Sequence, residues 1–217
     1  MSQPIHLYTL ATPNGRKVSI ALEEMGLPYE AHCVDIRKGE QKEPAFLKLN
    51  PNGKIPVIVD PEGPDGTEHA VFETGAILLY LAEKTGKLLP EDPAGRSEAI
   101  QWLFFQHGGV GPMFGQFGHF YTFAGDACDH PYPLTRYTDE TRRLLGVLEE
   151  RLTDREYLAG EYSIADIATF PWVGCLNWGY GAAEHLGLAD FPHVNAWHER
   201  CASRPAAQMG AAVCPMG

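Results

Sequence analysis

A single corner near the start of the chain constrains most of what can follow. The apolar run Ile5 to Leu10 reads as a strand, and Thr12-Pro13-Asn14-Gly15, dense in turn formers, comes directly after it. From Asn14 the apolar positions Val18, Ala21, Leu22 and Met25 recur three and four apart, so a helix opens on the polar corner and stops at Gly26. The result is a strand, a tight turn and a helix N-terminus in succession. Free N–H groups at such a terminus, with the positive end of the helix dipole, favour an anionic atom placed just above them.

The segments that follow narrow the architecture. Tyr29 to Ile36 reads as a second strand, Arg37 to Lys42 as a polar loop, and Pro44 to Leu49 as a short helical turn. Asn50-Pro51-Asn52-Gly53-Lys54-Ile55-Pro56 is a turn region before a third strand, Val57 to Asp60. A Pro/Gly-rich loop from Pro61 to Glu68 leads to a fourth strand, Ala70 to Phe72, and Glu73-Thr74-Gly75 opens a helix carrying Ile77, Leu78, Tyr80 and Leu81. This order is βαβ followed by ββα. The first unit implies a parallel pair with a right-handed crossover and the short loop in the second an antiparallel pair, hence a thioredoxin-like mixed sheet. Pro56, opening the third strand, is a candidate cis peptide.

Strand signals end after this point. The sequence predicts an α+β domain over residues 1–86, a linker over 87–95 and an all-α domain over 96–217. In the second domain, Gly108-Gly109-Val110-Gly111-Pro112 interrupts an aromatic helical pattern and reads as a close-packing kink. Gly125 to Pro133 reads as a loop, and Tyr137, Thr141, Leu144, Leu148 and Leu152 share one face of a helix. Ser163-Ile164-Ala165-Asp166 has the form of a capping box before an apolar helix reaching about Trp178, which should be the buried centre. Phe191-Pro192 opens a last helix with Val194, Trp197 and Cys201 facing a core.

Composition excludes several function classes. A net charge of −11 over 217 residues, with no basic stripe, argues against a nucleic-acid partner. No apolar run approaches the ~20 residues of a membrane span, and the first residues lack the pattern of a secretory signal, so cytoplasm is the expected compartment. The five cysteines, Cys33, Cys128, Cys175, Cys201 and Cys214, contain no C-x-x-C and read as reduced and inert, with no disulfide framework. The nine histidines form no ligand spacing, and no metal is expected.

With these elements in place, N-P-N-G-K-I-P-V at 50–57, F-E-T-G-A-I-L-L-Y-L at 72–81 and S-I-A-D-I-A at 163–168 together resemble a cytosolic glutathione transferase, along essentially the whole chain. T-P-N-G at 12–15, W-L-F-F-Q at 102–106 and G-G-V-G-P-M at 108–113 are similar to the bacterial Nu type, whose members act as glutathione-dependent disulfide-bond reductases. The resemblance implies glutathione as a bound co-substrate and a homodimer. It implies that the Ile55 backbone, before Pro56, pairs with the cysteinyl part of glutathione, and that Glu73 and Thr74 hold the γ-glutamyl end. It further places Gln41 and Lys54 at the tripeptide backbone or glycine end, and Arg136 as a contact from the neighbouring subunit. Tyr8 lies too early to be the tyrosine activator of the animal classes, and the turn has no cysteine of the beta or omega kind. Thr12 and Asn14 are left to stabilise the glutathione thiolate.

The expected reaction is reduction of small disulfides. Two rivals stand beside it: conjugation of electrophiles or reduction of organic peroxides, and a non-catalytic adaptor or ligand carrier on the same fold. From spacing alone Thr12 and Asn14 serve equally as helix caps, Glu73 as a first-turn acid, and Arg136 as an ion-pair partner for Glu140 on its own helix.

Overall fold

The computed structural model describes residues 3–216 and divides the chain into two compact units. The first runs to Leu89 and takes back the C-terminal segment from Ser203; the second spans Pro90–Ala202.

In the first unit a four-stranded sheet has the order β2-β1-β3-β4, formed by β1 (Ile5–Thr9), β2 (Tyr29–Cys33), β3 (Val57–Asp60) and β4 (His69–Phe72). β1 runs parallel to β2 and antiparallel to β3, and β3 runs antiparallel to β4. This is the mixed sheet the pattern implies. Helix α1 (Pro13–Met25) starts at the Thr12 cap and ends on Gly26, whose φ of 70° is the left-handed conformation glycine tolerates best. Helix α2 (Pro44–Leu49) and α3 (Thr74–Thr85) complete the βαβ-ββα order. All four β3 residues are buried because the strand is covered on both faces: Phe46 and Val34 pack with Val57 on one, and Ile58 is fully enclosed on the other. The Ile55–Pro56 peptide is cis, as the turn region suggests.

The C-terminal segment departs from expectation. The sequence assigns it to the helical domain, whereas α10 (Pro205–Ala211) belongs to the first unit and packs on α1. Its fit is close: the Ser19 hydroxyl donates to the Gly210 carbonyl at 2.7 Å, and a Cβ at Gly210 would lie 2.6 Å from the Ile20 backbone. Arg204 adds a two-pronged contact to Glu24. The cysteine reading is also corrected. Cys33 and Cys214 form a disulfide, while Cys128, Cys175 and Cys201 are free. With the partners 181 positions apart, no local spacing signals the pair.

The second unit is helical. Helix α4 (Pro93–Phe105) begins inside the expected linker, since Asp92 caps it by accepting the Gly95 N–H at 2.8 Å. The glycine-rich stretch does not break the helix: Gln106–Val110 is a π-helical widening that runs directly into α5 (Gly111–Gly118), and a second one spans His119–Phe123. Close packing is nonetheless its purpose, because a Cβ at Gly111 would meet the Gln106 side chain at 2.6 Å and Trp172 at 3.5 Å. Helix α6 (Pro131–Arg151) buries Thr141, Leu144 and Leu148 as its periodicity requires. Helix α7 (Ile164–Trp178) is buried from Ile164 to Leu176 and forms the centre, with α8 (Ala183–Leu186) and α9 (Pro192–Ala202) around it. No helix among the described residues is long and apolar enough to cross a membrane.

Candidate functional site

The sheet register assembles the site in the first unit. Val57 pairs with Tyr8 on one side and with Phe72 on the other. Three segments therefore converge around the start of β3: the corner after β1, the Ile55–Pro56 peptide before β3, and Glu73-Thr74 after β4. Residues about 60 positions apart in sequence become neighbours through two ladder pairings.

At the corner, the Thr12 hydroxyl oxygen accepts the Gly15 N–H at 3.2 Å, and the Arg16 N–H closes the first helical bond on the Thr12 carbonyl. The capping role is thus real. It leaves the hydroxyl proton available to donate outward, because a hydroxyl caps with a lone pair and not with its hydrogen. Gly15 is required: a Cβ there would sit 1.9 Å from the Leu10 carbonyl oxygen, so only glycine lets the helix start this close to the strand. Thr12 and Asn14 are both half-buried. Tyr8 lies within β1, and its ring stacks on His32 at 4.7 Å, which keeps it away from the corner's chemistry.

The loop before β3 is shaped by Asn50, a residue the motif reading did not single out. Its buried side chain donates to the Lys54 carbonyl at 2.7 Å and accepts the Asn52 N–H at 2.9 Å, pinning the turn that presents Lys54, Ile55 and Pro56. Lys54 itself is exposed. Among the described residues, none hydrogen-bonds the N–H or carbonyl of Ile55. Gln41 donates to the Ile36 carbonyl at 3.3 Å, while its buried Oε1 has no partner.

Glu73 adopts φ 70°, a left-handed conformation that costs a non-glycine residue about 1 to 3 kcal/mol. Its side chain is exposed, and no side chain caps the start of α3. Beneath it, Thr74 is buried and receives the Lys17 ammonium at 3.3 Å. Lys17 is the neighbour of these segments most easily missed. It lies on α1 at a position indistinguishable in sequence from a solvent-facing lysine, yet it is 1% exposed and joins α1 to the N-terminus of α3. Burial pushes its pKa well below the usual lysine value, and the Glu73 carboxylate partly opposes that shift.

Arg136 lies in the second unit, exposed on α6. Its expected partner Glu140 is bound by Arg143 through two hydrogen bonds of 2.8 Å; the Arg143 guanidinium chiefly holds the Glu140 carboxyl below its usual range, and the Arg136 charge adds a smaller attraction without a hydrogen bond. A further grouping escaped the spacing search. His6 on β1 and His32 on β2 place ring nitrogens 3.1 Å apart, with Glu30 3.7 Å from His6. Adjacent strands bring them together across 26 positions, and the two rings hydrogen-bond one another.

Against this geometry, the comparisons with known proteins agree along the chain. The description Glutathione S-transferase, N-terminal domain, matches residues 11–84, and Glutathione S-transferase, C-terminal domain, matches residues 134–205. Disulfide-bond oxidoreductase YfcG of Escherichia coli is 49% identical, covering 93% of this chain and 92% of its own length. Disulfide-bond oxidoreductase YghU of the same organism is 43% identical over 95% of this chain and 74% of its own. Among solved structures, a Burkholderia graminis glutathione transferase with two glutathione molecules bound per subunit has a TM-score of 0.94 at 56% identity, covering 96% of this chain and 87% of that one. A Pseudomonas putida glutathione transferase with one glutathione disulfide bound per subunit also has a TM-score of 0.94, at 51% identity, covering 96% and 91%. With both domain matches falling on the units that carry the corner, the cis proline and the capping box, the chain belongs to the glutathione S-transferase family.

Proposed function

We propose that this protein reduces small disulfides with glutathione, stabilising the glutathione thiolate at the Thr12/Asn14 corner without a cysteine of its own there. The observation that carries the reading is the convergence at the start of β3 of a helix N-terminus with hydroxyl and amide donors, an unclaimed backbone at Ile55 and an open carboxylate at Glu73. Each feature suits one part of the tripeptide. The Ile55 N–H and carbonyl take the cysteinyl backbone in a β-like pair. Glu73 takes the γ-glutamyl ammonium, and the α3 N-terminus with Thr74 takes its carboxylate. The Gln41 side chain and the exposed Lys54 serve the tripeptide backbone or the glycine end. Arg136 reaches the ligand from the second subunit of a homodimer, and the protein works in the cytoplasm.

The energies are sufficient. A thiol with pKa ~8.5 is roughly 3% ionised at neutral pH, and lowering that value by ~2 units requires about 2.7 kcal/mol in favour of the anion. One hydrogen bond to a charged acceptor supplies ~1.5 to 3 kcal/mol and the helix terminus a further ~0.3 to 1. The thiolate attacks one sulfur of the substrate, the other leaves as a thiolate and takes a proton, and a second glutathione resolves the mixed disulfide to give glutathione disulfide. Relatives named as disulfide-bond oxidoreductases, and others crystallised with two glutathione molecules or with glutathione disulfide, support this order.

The test is coupled turnover of a small disulfide beside conjugation of an aryl halide, for wild type and Asn14→Ala. Disulfide reduction is expected to dominate and to fall roughly 10- to 150-fold in kcat/KM in the variant, the loss of one charged hydrogen bond. Dominant conjugation would favour the transferase reading, and glutathione binding without either activity the carrier.

A further inference from the structure

The disulfide stands at the edge of the same corner. Cys33 ends β2, beside Thr9 at the end of β1, and Cys214 follows α10. The Cys214 carbonyl accepts the Ala11 N–H at 2.9 Å, and the Val34 N–H donates to the Thr9 carbonyl at 2.9 Å. The residues on either side of Leu10 are thus held by the two arms of one covalent bridge, immediately before Thr12. The two partners differ in access: Cys33 is exposed and Cys214 is 6% exposed. Cys214 is also held at φ 49°, a left-handed conformation that only three non-glycine residues adopt among the described ones. Glu73, the carboxylate assigned above to the γ-glutamyl end, is another of the three.

We propose that the Cys33–Cys214 disulfide is itself a thiol-exchange site, which takes one glutathione as a mixed disulfide on Cys33 and, once opened, relaxes the hold of Cys214 on Ala11. The inference rests on glutathione being this protein's co-substrate. A glutathione thiolate attacks the sulfur of exposed Cys33, a sulfur–sulfur bond forms there, and the Cys33–Cys214 bond breaks with Cys214 leaving as a thiolate that takes a proton. A second glutathione attacks the glutathione sulfur of the adduct, releasing glutathione disulfide and a Cys33 thiol. Two glutathione molecules are oxidised and one protein disulfide is reduced. A disulfide in a reducing compartment is expected to be of this exchangeable kind. Because α10 is seated independently through Ser19 and Arg204, opening the bridge frees the residues beyond α10 without displacing the helix.

The full chain is incubated with millimolar reduced glutathione, quenched by alkylation at successive times and mapped by peptide mass. A transient adduct on Cys33, with Cys214 alkylated, is expected in wild type. Cys214→Ser should accumulate the adduct on Cys33 when given glutathione disulfide, and Cys33→Ser should leave Cys214 unmodified. The Ala11 amide, followed by NMR, should exchange roughly tenfold faster in the reduced protein than in the oxidised one. Absence of a Cys33 adduct, opening only in denaturant, or an Ala11 amide indifferent to the bridge would overturn the proposal. Turnover of a small external disulfide on the same samples separates the two readings. Turnover without an adduct sinks this inference alone, and an adduct without turnover sinks the enzymatic reading alone.

Discussion

At the start of α7, Ser163 and Asp166 turn inward and are consumed by the fold, while at the start of α3, Glu73 and Thr74 leave an acid facing outward. Both helices begin with a hydroxyl and an acid close together in sequence. In α7 the Ser163 hydroxyl accepts the Ala165 N–H, and the fully buried Asp166 carboxylate accepts from the Leu158 and Ser163 N–H groups at 3.0 Å and from the Trp197 indole at 2.8 Å. In α3 no side chain closes the helix start, and Glu73 is exposed in a conformation that costs energy. A satisfied terminus stabilises its domain and has no capacity left for a ligand. An open terminus holds its groups ready at the expense of stability, which is the signature expected of a binding site.

The strongest way to break this contrast is to remove the acid from each terminus in turn. Asp166→Ala removes the acceptor of four hydrogen bonds, one from the rotatable Ser163 hydroxyl and three from buried N–H groups that are stranded at about 1 to 3 kcal/mol each, so a loss of about 4 kcal/mol in urea unfolding is expected, with kcat/KM per folded molecule within about twofold of wild type. A comparable loss of activity in folded Asp166→Ala would mean that α7 also serves the site. Glu73→Gly should do the opposite. Relief of the left-handed residue is expected to stabilise the protein by about 1 kcal/mol while the KM for glutathione rises about tenfold. A more stable variant with unchanged KM would remove Glu73 from the ligand.

Acid titration sharpens the comparison with a smaller effect. Burial pushes the Asp166 carboxyl up, only partly offset by its donors at Leu158, Trp197 and Ser163. Asp60 is also buried, but the hydrogen bonds from Lys84 and Tyr80, with the Glu62 N–H, outweigh burial and hold its carboxyl below the usual range. The signs are therefore opposite. The contribution of Asp60 is present above pH 3.8 and is lost as pH falls through its depressed folded value. That of Asp166 is fully present below pH 3.8 and is lost as pH rises through its raised one. The stability difference between wild type and Asp60→Asn should accordingly shrink on acidification, while that between wild type and Asp166→Asn should grow. Parallel trends in denaturant midpoints across the acid range would contradict the assignment of a cation-held and a neutrally capped carboxylate.

The sequence by itself determined most of what depends on near neighbours along the chain, although the local Asp92 cap of α4 lies inside the stretch read as linker. The Thr12 cap, the Gly26 stop, the cis Ile55–Pro56 peptide and the Ser163 capping box are local devices, written in residues a few positions apart, and each is found where its pattern stands. The βαβ-ββα order followed from the same local signals, because connection length alone decides parallel from antiparallel pairing. Tertiary structure alone decided what distant residues do to one another. Lys17 became a buried link to Thr74 only when α1 and α3 packed side by side, and His6 met His32 only across a strand pair. The return of α10 to the first unit and the Cys33–Cys214 bridge needed the whole chain to close on itself. Periodicity and capping report which face of an element is apolar and where it ends, and carry no information on which other element will cover that face. That choice is made by shape and burial in the assembled core, where a glycine at 210 admits the backbone at Ile20 and brings the last turn of the chain beside the first.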